Sequence, residues 1–399
     1  MTAPLQGRSP PEKDVLRVGV GLSTERDSGR AAAGAAGAAL RSGGLRDARL
    51  ALVFATTAHG PGFTRVTRTV SEICGTRDVV GCSAAGVLAA EEEVEGGPGI
   101  AVLAIGGDVE AQRFFVPLSQ GDPVRIARDI AEAVRAEAVA GSLLVLFTDS
   151  YNIDSEVVLA QLGRLLPGVQ IVGGGGSEDG SVGEISVFAG DASSSRAASG
   201  VLISGPVAAT VGVCHAVRPI GPTHRVTRAE GSRVHELDGR PAYEALSGIL
   251  PAPLRQDPRR ALASILVGLP VAEGEFVVRH LVAIDPRQGC LTLAARVANG
   301  HELFFAVRDS YAARQHMQQV LSRQAGDPSM SGAVGGLYVN CVGRGRAFHG
   351  VPGLDTAYLR QHIGPVPIAG FFSGGEFAPG GGAPRLHQYT GVLTLLGSA

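Results

Sequence analysis

One segment of the sequence comes close to a hydrolase nucleophile elbow, Gly81-Cys82-Ser83-Ala84-Ala85-Gly86. An elbow of the form G-x-S-x-G holds a nucleophilic serine on a strained strand-to-helix turn. Here Ala85 occupies the position of the second glycine, so the motif misses by one residue. Ser83 is thus a candidate nucleophile of a small-molecule hydrolase, and the favoured alternative is a turn that is structural or contacts a ligand.

Four consecutive glycines, Gly173 to Gly176, follow a predicted strand. Without side chains, their amide groups can approach an anion closely. A dinucleotide fingerprint would need G-x-G-x-x-G leading directly into a helix, whereas here a polar loop continues through Gly180. Nucleotide binding is therefore disfavoured, and Gly173 and Gly174 either line a ligand site or form a flexible turn.

The C-terminal part places an arginine, a glutamate and a histidine in or beside loops that follow predicted strands: Arg344, Glu376 and His387. The carboxylate of a free amino acid matches the guanidinium fork of an arginine, and its ammonium group pairs with a carboxylate. We expect Arg344 and Glu376 to bind such a ligand, with Ser83 or nearby amides closing over it. The alternative is an internal Arg–Glu bridge that fastens the loops together.

The five cysteines are widely spread and form no C-x-x-C pair, which indicates reduced thiols in a cytosolic protein. Arg344 could lower the thiol pKa of Cys341 and make it a nucleophile, although a buried inert cysteine is the commoner case. The sequence has no metal motif. Covalent haem is excluded because C-x-x-C-H is missing, whereas a noncovalent haem needs only one axial histidine, and no local signal selects one of the ten.

Composition excludes several other functions. Lys and Arg total 35 and Asp and Glu total 37, so the near-zero net charge gives no overall attraction to nucleic acid or to an anionic membrane. Lys13 is the only lysine, which excludes a P-loop or a Schiff-base lysine in the folded body. Because neither a secretory signal nor a run of about 18 apolar residues occurs, we expect a soluble cytoplasmic protein.

The candidate residues belong to a unit that occurs three times: strand, loop, helix, strand and glycine-rich segment. Its first strands are predicted at Leu50–Thr56, Leu143–Thr148 and Leu337–Cys341. Strand–helix–strand units of about 30 residues build right-handed parallel sheet, and open sheets bind ligands beyond the ends of such strands. Antiparallel meanders are predicted between the copies, and helices are predicted after Asp27 or Ser28, at Asp122–Pro123, and after Asp154 and Asp309.

The fold class that these patterns predict is α/β, with α+β mixed sheets, in two domains of repeated β-α-β units and antiparallel meanders. Pro219 to Pro222 provides the best boundary, because two prolines and a glycine separate a strand from a charged stretch. The predicted organisation is a disordered tail over residues 1–14, an N-terminal domain over 15–222 and a C-terminal domain over 223–399.

From about Leu50 onward, the order of the short motifs resembles the paired FIST N-terminal and C-terminal domains. The matching segments are Leu52-Val53-Phe54, Val80 to Val87, Ile171 to Gly174, Ala283 to Pro286, Cys341 to Gly345, Ile368 to Glu376 and Leu386 to Thr390. Each motif is short and glycine-rich, so their order over more than 300 residues is what makes the resemblance specific.

The resemblance implies a sensory protein that binds a small ligand, with amino acids as the proposed ligand class and haem-based nitric oxide sensing in some members. Many relatives carry an output domain; none follows here, so we expect a separate signalling partner and no enzymatic activity. Two alternatives are a hydrolase that uses Ser83 or Cys341, and a haem-based gas sensor; a scaffold that recruits other proteins is a third. The expected ligand-binding residues are Cys82, Ser83, Gly173, Gly174, Cys341, Arg344, Glu376 and His387.

Overall fold

A computed structural model describes residues 15–118 and 121–398 of this chain. The predicted disordered tail, residues 1–14, lies outside the described residues. Within them, strands and helices form three similar units and one inserted barrel. The predicted α/β fold with mixed sheets is confirmed.

The elements follow the chain in this order. The first unit contains β1 (Arg17–Ser23), α1 (Ser28–Ser42), β2 (Leu50–Thr56), α2 (Phe63–Cys74), β3 (Val79–Ala84), β4 (Gly86–Ala89), β5 (Glu92–Glu95) and β6 (Ile100–Gly106). The second contains β7 (Glu110–Pro117), α3 (Pro123–Val134), β8 (Leu143–Thr148), α4 (Ser155–Leu165), β9 (Gln170–Gly175), β10 (Ser186–Ala189), β11 (Ala192–Ser195) and β12 (Ala197–Ser204).

The third unit begins with β13 (Val207–His215) and is then interrupted by the barrel. The barrel region contains β14 (Val217–Glu230), β15 (Arg233–Leu237), β16 (Arg240–Pro241), α5 (Ala242–Ile249), α6 (Ala252–Gln256), α7 (Pro258–Ser264), β17 (Ile265–Ala272), β18 (Glu275–Asp285), β19 (Cys290–Leu293) and β20 (Glu302–Arg308). The unit resumes with α8 (Ser310–Ala325), β21 (Gly335–Cys341), α9 (Gly345–His349), α10 (Leu354–Ile363), β22 (Ile368–Ser373), β23 (Gly375–Gly380), β24 (Ala383–His387) and β25 (Thr390–Ser398).

Helix starts that the sequence predicts from aspartate caps are confirmed. The carboxylates of Asp27, Asp122, Asp154 and Asp309 each accept a hydrogen bond from a backbone N–H in the first turn of α1, α3, α4 and α8. A side-chain acceptor at this position satisfies an amide that has no partner within the helix. The pattern is local, which is why the sequence alone predicts it.

Each unit contributes to a six-stranded sheet with the same strand order. The three orders are β1-β6-β2-β3-β10-β11, β7-β12-β8-β9-β23-β24 and β13-β25-β21-β22-β4-β5. In each, the central pair is parallel, as the repeated unit predicts: β2 with β3, β8 with β9, and β21 with β22. The last two strands of every sheet form a hairpin that belongs to a different unit, so the units exchange hairpins in a ring.

The exchange creates one shared core between the three sheets. Phe54 from β2 stacks on Phe371 from β22 with ring centroids 4.6 Å apart, and Phe147 from β8 meets both rings edge-on at 5.6 and 5.8 Å. All three rings are buried. One aromatic residue from each unit therefore closes the centre of the molecule.

The glycine segments that the sequence predicts as loops after strands are strand residues in this core. Gly173 and Gly174 lie in β9, and a Cβ at Gly173 would stand 2.0 Å from the carbonyl oxygen of Leu146 on β8. Gly81 on β3 and Gly370 on β22 have the same close approach, 1.7 Å, to their neighbouring strands. These glycines are required by backbone packing, which corrects the expectation of a flexible turn.

The predicted domain boundary lies inside a strand. Pro219 to Pro222 falls within β14, which pairs with β20 on one side and with β15 on the other. The pairing with β20 shifts register between Ile220 and Thr223, and a bulge of this kind accommodates proline in a strand. The β14–β15 pairing closes the seven-stranded sheet into a barrel, inserted between β13 and α8 of the third unit.

Candidate functional site

A cavity of about 430 Å³ lies where the barrel meets the third unit. Its walls come from β13, from the turn between β17 and β18, from one face of α8, and from the β23–β24 hairpin. The residues lining it are Gln170, Thr210, Val211, Gly212, Val213, His215, Gly274, Glu275, Phe276, His316, Val320, Arg323, Gln324, Asp327, Pro379, Gly380, Gly382 and His387. A concave site of this volume is typical of small-ligand pockets.

Three histidines from three distant parts of the chain meet in this cavity. The ring of His215 lies 5.5 Å from that of His316 and 6.3 Å from that of His387, and it stacks on Phe276 at 4.0 Å. The His215 backbone N–H donates to Nδ1 of His316 at 2.9 Å. Since Nδ1 is the acceptor, neutral His316 carries its proton on Nε2 and offers a donor.

The cavity wall contains several buried polar atoms without a hydrogen-bond partner. Among the described residues these are Thr210 Oγ1, His215 Nδ1 and Gln324 Oε1. A buried polar atom that loses water without gaining a partner costs free energy, on the order of 1–3 kcal/mol each. Their concentration around one cavity indicates groups that a ligand would satisfy.

The histidines are neutral at physiological pH. Burial, followed by the positive charge of Arg279, lowers the pKa of His387 to about 4. Burial lowers the pKa of His215 well below its usual value, and burial also lowers that of His316. In residues 15–118 and 121–398, no group of three His, Cys, Asp or Glu side chains is placed to hold a metal ion.

Charged side chains complete the cavity on the α8 side. Arg323 lies on the α8 face that also carries His316, Asp327 follows two residues after the end of α8, and Glu275 lines the cavity from the barrel. The Glu275 carboxylate accepts a hydrogen bond from the backbone N–H of Gly381 at 2.7 Å. Arg323 forms no salt bridge with any described residue. The site thus combines one unpaired cation with two carboxylates.

Four of the sequence-predicted residues lie in the shared core, away from this cavity. Cys82 and Ser83 on β3 and Gly174 on β9 are buried. The Ser83 hydroxyl donates to the carbonyl of Ser177 at 3.2 Å and accepts from the backbone N–H of Ser186 at 3.0 Å. Both contacts join β3 of the first unit to residues of the second unit, and no histidine is among the described hydrogen-bond partners of Ser83. Gly173 and Gly174 pair with β8 and β23.

Cys341 and Glu376 are brought together, as neighbours in a second buried cluster. Glu376 Oε2 accepts from the backbone N–H and the hydroxyl of Thr390 at 3.2 and 2.7 Å, and the Cys341 thiol lies beside the same carboxyl group. Burial raises the pKa of Glu376 to about 8, against the effect of these hydrogen bonds. Burial, with the adjacent Glu376, raises the pKa of the Cys341 thiol to about 12. Cys341 is therefore a thiol at neutral pH, which is the less nucleophilic form.

We expect Glu376→Gln to raise the free energy of unfolding, relative to the wild type, by more at pH 8 than at pH 5. Because the folded-state pKa of about 8 exceeds the usual 4.5, the unfolded chain releases this proton first, and stability falls as the pH rises from about 4.5 to about 8. Ionisation of Glu376 lowers the free energy of unfolding by about 3 kcal/mol between pH 5 and 8, and glutamine, which does not ionise, removes this pH dependence. Urea unfolding at both pH values measures the difference; the exposed Glu302→Gln is the control. An equal effect of Glu376→Gln at both pH values would contradict the prediction.

Arg344 is not free to bind a ligand carboxylate, because Asp355 occupies its guanidinium fork. Nε and Nη2 of Arg344 donate to the two carboxylate oxygens of Asp355 at 3.0 and 2.9 Å, and both side chains are buried. The sequence alternative of an internal bridge is thus correct in kind, with Asp355 as the partner instead of Glu376. Arg344 also donates to the carbonyl of Cys214, so it supports the strand that carries His215.

Of the predicted ligand residues, His387 alone lines the cavity. Sequence reasoning missed His215, His316, Arg323 and Gln324, because they are spread over separate elements. One local signal was available: His316, Val320, Arg323 and Gln324 follow helical spacing on one face of α8. Among them Gln324 is polar and buried, which could have marked a site.

Comparison with known proteins defines the class of this chain. The FIST N domain model matches residues 49–240, and the FIST C domain model matches residues 242–379. These domains are sensory modules of signal transduction. The chain therefore belongs to the FIST family, and the resemblance seen in the sequence is confirmed.

Similar chains occur in mycobacteria. An uncharacterized protein of Mycobacterium tuberculosis strain H37Rv is 30% identical over 390 residues, covering 95% of this chain and 99% of that protein. An uncharacterized protein of Mycobacterium bovis is 31% identical over 391 residues, covering 95% and 98%. A crystal structure of cyanuric acid hydrolase from A. caulinodans aligns over 49% of this chain and 72% of the hydrolase chain. The sequence identity is 11%, and the TM-score of 0.28 is too low to support any inference about this protein. No helix in the described part of the chain is long and apolar enough to cross a membrane.

Proposed function

We propose that this chain is a sensory protein that binds an amino-acid-like ligand in the histidine-lined cavity and signals through a separate partner. The observation that carries the proposal is the set of unpartnered buried polar atoms on the cavity wall, and the exposed Arg323 adds a positive charge to the lining. A binding site that awaits its ligand presents such groups, because the ligand supplies the missing partners.

The chemistry of the lining fits a zwitterion. Arg323 suits a carboxylate, and Glu275 and Asp327 suit an ammonium group. His316 Nε2–H provides a donor and Gln324 Oε1 an acceptor. This assignment moves the predicted arginine and carboxylate roles from Arg344 and Glu376 to side chains that face the cavity.

The cavity also suits a signalling role because its walls belong to two parts of the fold. Glu275 and Phe276 come from the barrel, whereas His316 and His387 come from the third unit. A ligand that touches both parts favours the arrangement in which it makes the most contacts. A partner protein that binds only that arrangement would respond to the presence of the ligand.

We expect Arg323→Gln to weaken ligand binding by about 10- to 100-fold, the range for losing a charged hydrogen bond. A thermal-shift screen of the twenty amino acids identifies the ligand, since selective binding raises the melting temperature. Calorimetric titration then compares the wild type with Arg323→Gln and with Arg314→Gln, a charge-matched control on the same helix outside the cavity lining. Equal affinity of all three proteins, or no ligand in the screen, would overturn the assignment.

A noncovalent haem is the second candidate, and His387 favours it. The imidazole is neutral and lines the cavity, and an axial ligand needs one neutral imidazole nitrogen. The charged side chains Arg323, Asp327 and Glu275 suit a small polar ligand better than a porphyrin face. Haem belongs in the same screen, where a Soret band that is lost in His387→Ala would favour this candidate.

A further inference from the structure

Within residues 15–118 and 121–398, one edge of the third sheet has no neighbouring strand. β13 is the outermost strand of that sheet, and its one described partner is β25, in antiparallel register from Val207 opposite Ser398 to His215 opposite Thr390. The strand is nine residues long and mostly apolar. A long uncharged edge strand is a ready template for pairing with another backbone.

Two hydrogen bonds at the end of β13 show which backbone groups face outward. The His215 N–H donates to the His316 ring, outside the sheet, and the N–H of Thr390, directly opposite, donates to Glu376. In an antiparallel pair, residues alternate between bonding to their partner strand and pointing away from it. Val213 and Val211 share the phase of His215, so their N–H and C=O groups point away from β25. No described residue pairs with these groups.

The same residues form the floor of the ligand cavity. Val211 and Val213 line it, with α8 on one side of the strand and the β23–β24 hairpin on the other. At the intervening Gly212, a Cβ would stand 2.4 Å from Gln324 Oε1, so glycine lets α8 approach the edge closely. The cavity is therefore a groove that runs along an unpaired strand.

We propose that the ligand is a short peptide in extended conformation, which adds to β13 as a strand. This inference rests on the proposed function and narrows its ligand class. The peptide exchanges backbone hydrogen bonds with Val211 and Val213, and its terminal carboxylate meets Arg323. Strand addition gives affinity through the main chain, and the surrounding pockets select side chains. The volume of about 430 Å³ lies within the range of sites for drug-sized ligands, which exceed one amino acid in size.

The direction of the peptide follows from the placement of α8. His316 lies beside the His215 end of β13, whereas Gln324 lies beside Gly212, so α8 and β13 run in opposite directions. Arg323 therefore stands toward the start of β13. A peptide with its carboxylate at Arg323 runs antiparallel to β13, which is the more favourable strand pairing.

The test uses an equimolar library of tripeptides with free termini, captured on the full-length protein. We expect the strongest tripeptide to bind at least about tenfold more tightly than the free amino acid at its C-terminus, because it adds backbone hydrogen bonds. The same tripeptide, N-methylated at the amide that bonds to β13, should lose about tenfold in affinity.

A protein variant removes the matching group. Val211→Pro deletes an outward N–H, and an edge strand tolerates proline where the N–H faces away from the sheet. We expect Val211→Pro to weaken tripeptide binding about tenfold relative to Val211→Ala, which loses the same side chain but keeps the N–H. If Val211→Pro does not fold, the affinity of the N-methylated tripeptide for the wild-type protein tests the strand pairing.

The outcomes separate this inference from the proposed function. Free amino acids that bind as tightly as tripeptides, and that depend on Arg323, would overturn strand addition and retain the proposed site. Tripeptides that bind without any effect of N-methylation would also overturn strand addition. If neither ligand type binds, both proposals fail.

Discussion

Residues 1–240 and 241–399, expressed separately, are each expected to lack a cooperative unfolding transition, although the junction of the two family domains lies between them. The reason is the exchange of hairpins. The β4–β5 hairpin of the first unit pairs with β22, and the β23–β24 hairpin of the third unit pairs with β9. Cutting at the junction leaves two of the three sheets without strands that complete them.

The core would be divided by the same cut. Phe54 and Phe147 belong to the first fragment, and Phe371, which contacts both rings, belongs to the second. A folding unit needs its own hydrophobic core, and neither fragment retains this one. Circular dichroism and thermal melting of each fragment, and of the coexpressed pair as control, provide the measurement. A cooperative melt of residues 241–399 alone would show that the C-terminal part is an independent domain.

Asp355→Ala is expected to destabilise the protein by about 3–5 kcal/mol, the range for removing one partner of a buried ion pair. The Asp355 carboxylate accepts from Arg344 and also from the hydroxyl of Tyr338 at 3.1 Å. Burial opposes ionisation, yet the Arg344 guanidinium and its hydrogen bonds hold the pKa of Asp355 below its usual value. Without that carboxylate, the fully buried Arg344 keeps a charge that no water solvates.

Two controls separate this effect from simple truncation. The double variant Arg344→Met with Asp355→Leu removes both charges and should recover part of the lost stability. Asp129→Ala removes one partner of the exposed pair with Arg125 and should cost less than about 1 kcal/mol. Denaturant unfolding measures all three variants. A loss below about 1 kcal/mol for Asp355→Ala would show that the buried pair contributes little.

The sequence predicted local structure well where short-range rules decide it. The strands at Leu50–Thr56 and Leu143–Thr148 have the predicted bounds, and Asp154 and Asp309 cap helices as expected. Apolar runs and side-chain caps act over a few residues, so the printed order of residues contains the information. The prediction was less accurate at Leu337–Cys341, where the strand begins two residues earlier, at Gly335.

The candidate site was predicted only in part. His387 was identified from a family motif, and it lines the cavity. Arg344 was identified for its chemistry, but its charge serves the internal bridge with Asp355, eleven residues away in sequence. No pattern of residue types distinguishes an arginine that binds a ligand from one that binds a buried carboxylate, because both uses need the same guanidinium fork.

The sequence by itself determined that this chain is an α/β protein of three repeated units, because each unit is a local strand, helix and strand. Only the tertiary structure decided which hairpin completes which sheet, and which side chains share the cavity. His316 lies 101 residues from His215 in sequence, yet the two are joined by a hydrogen bond. Periodicity shows which face of an element is buried, but not which distant element covers that face. The free edge of β13 is likewise a tertiary property, because it depends on the fact that no other strand of the described residues lies beside it.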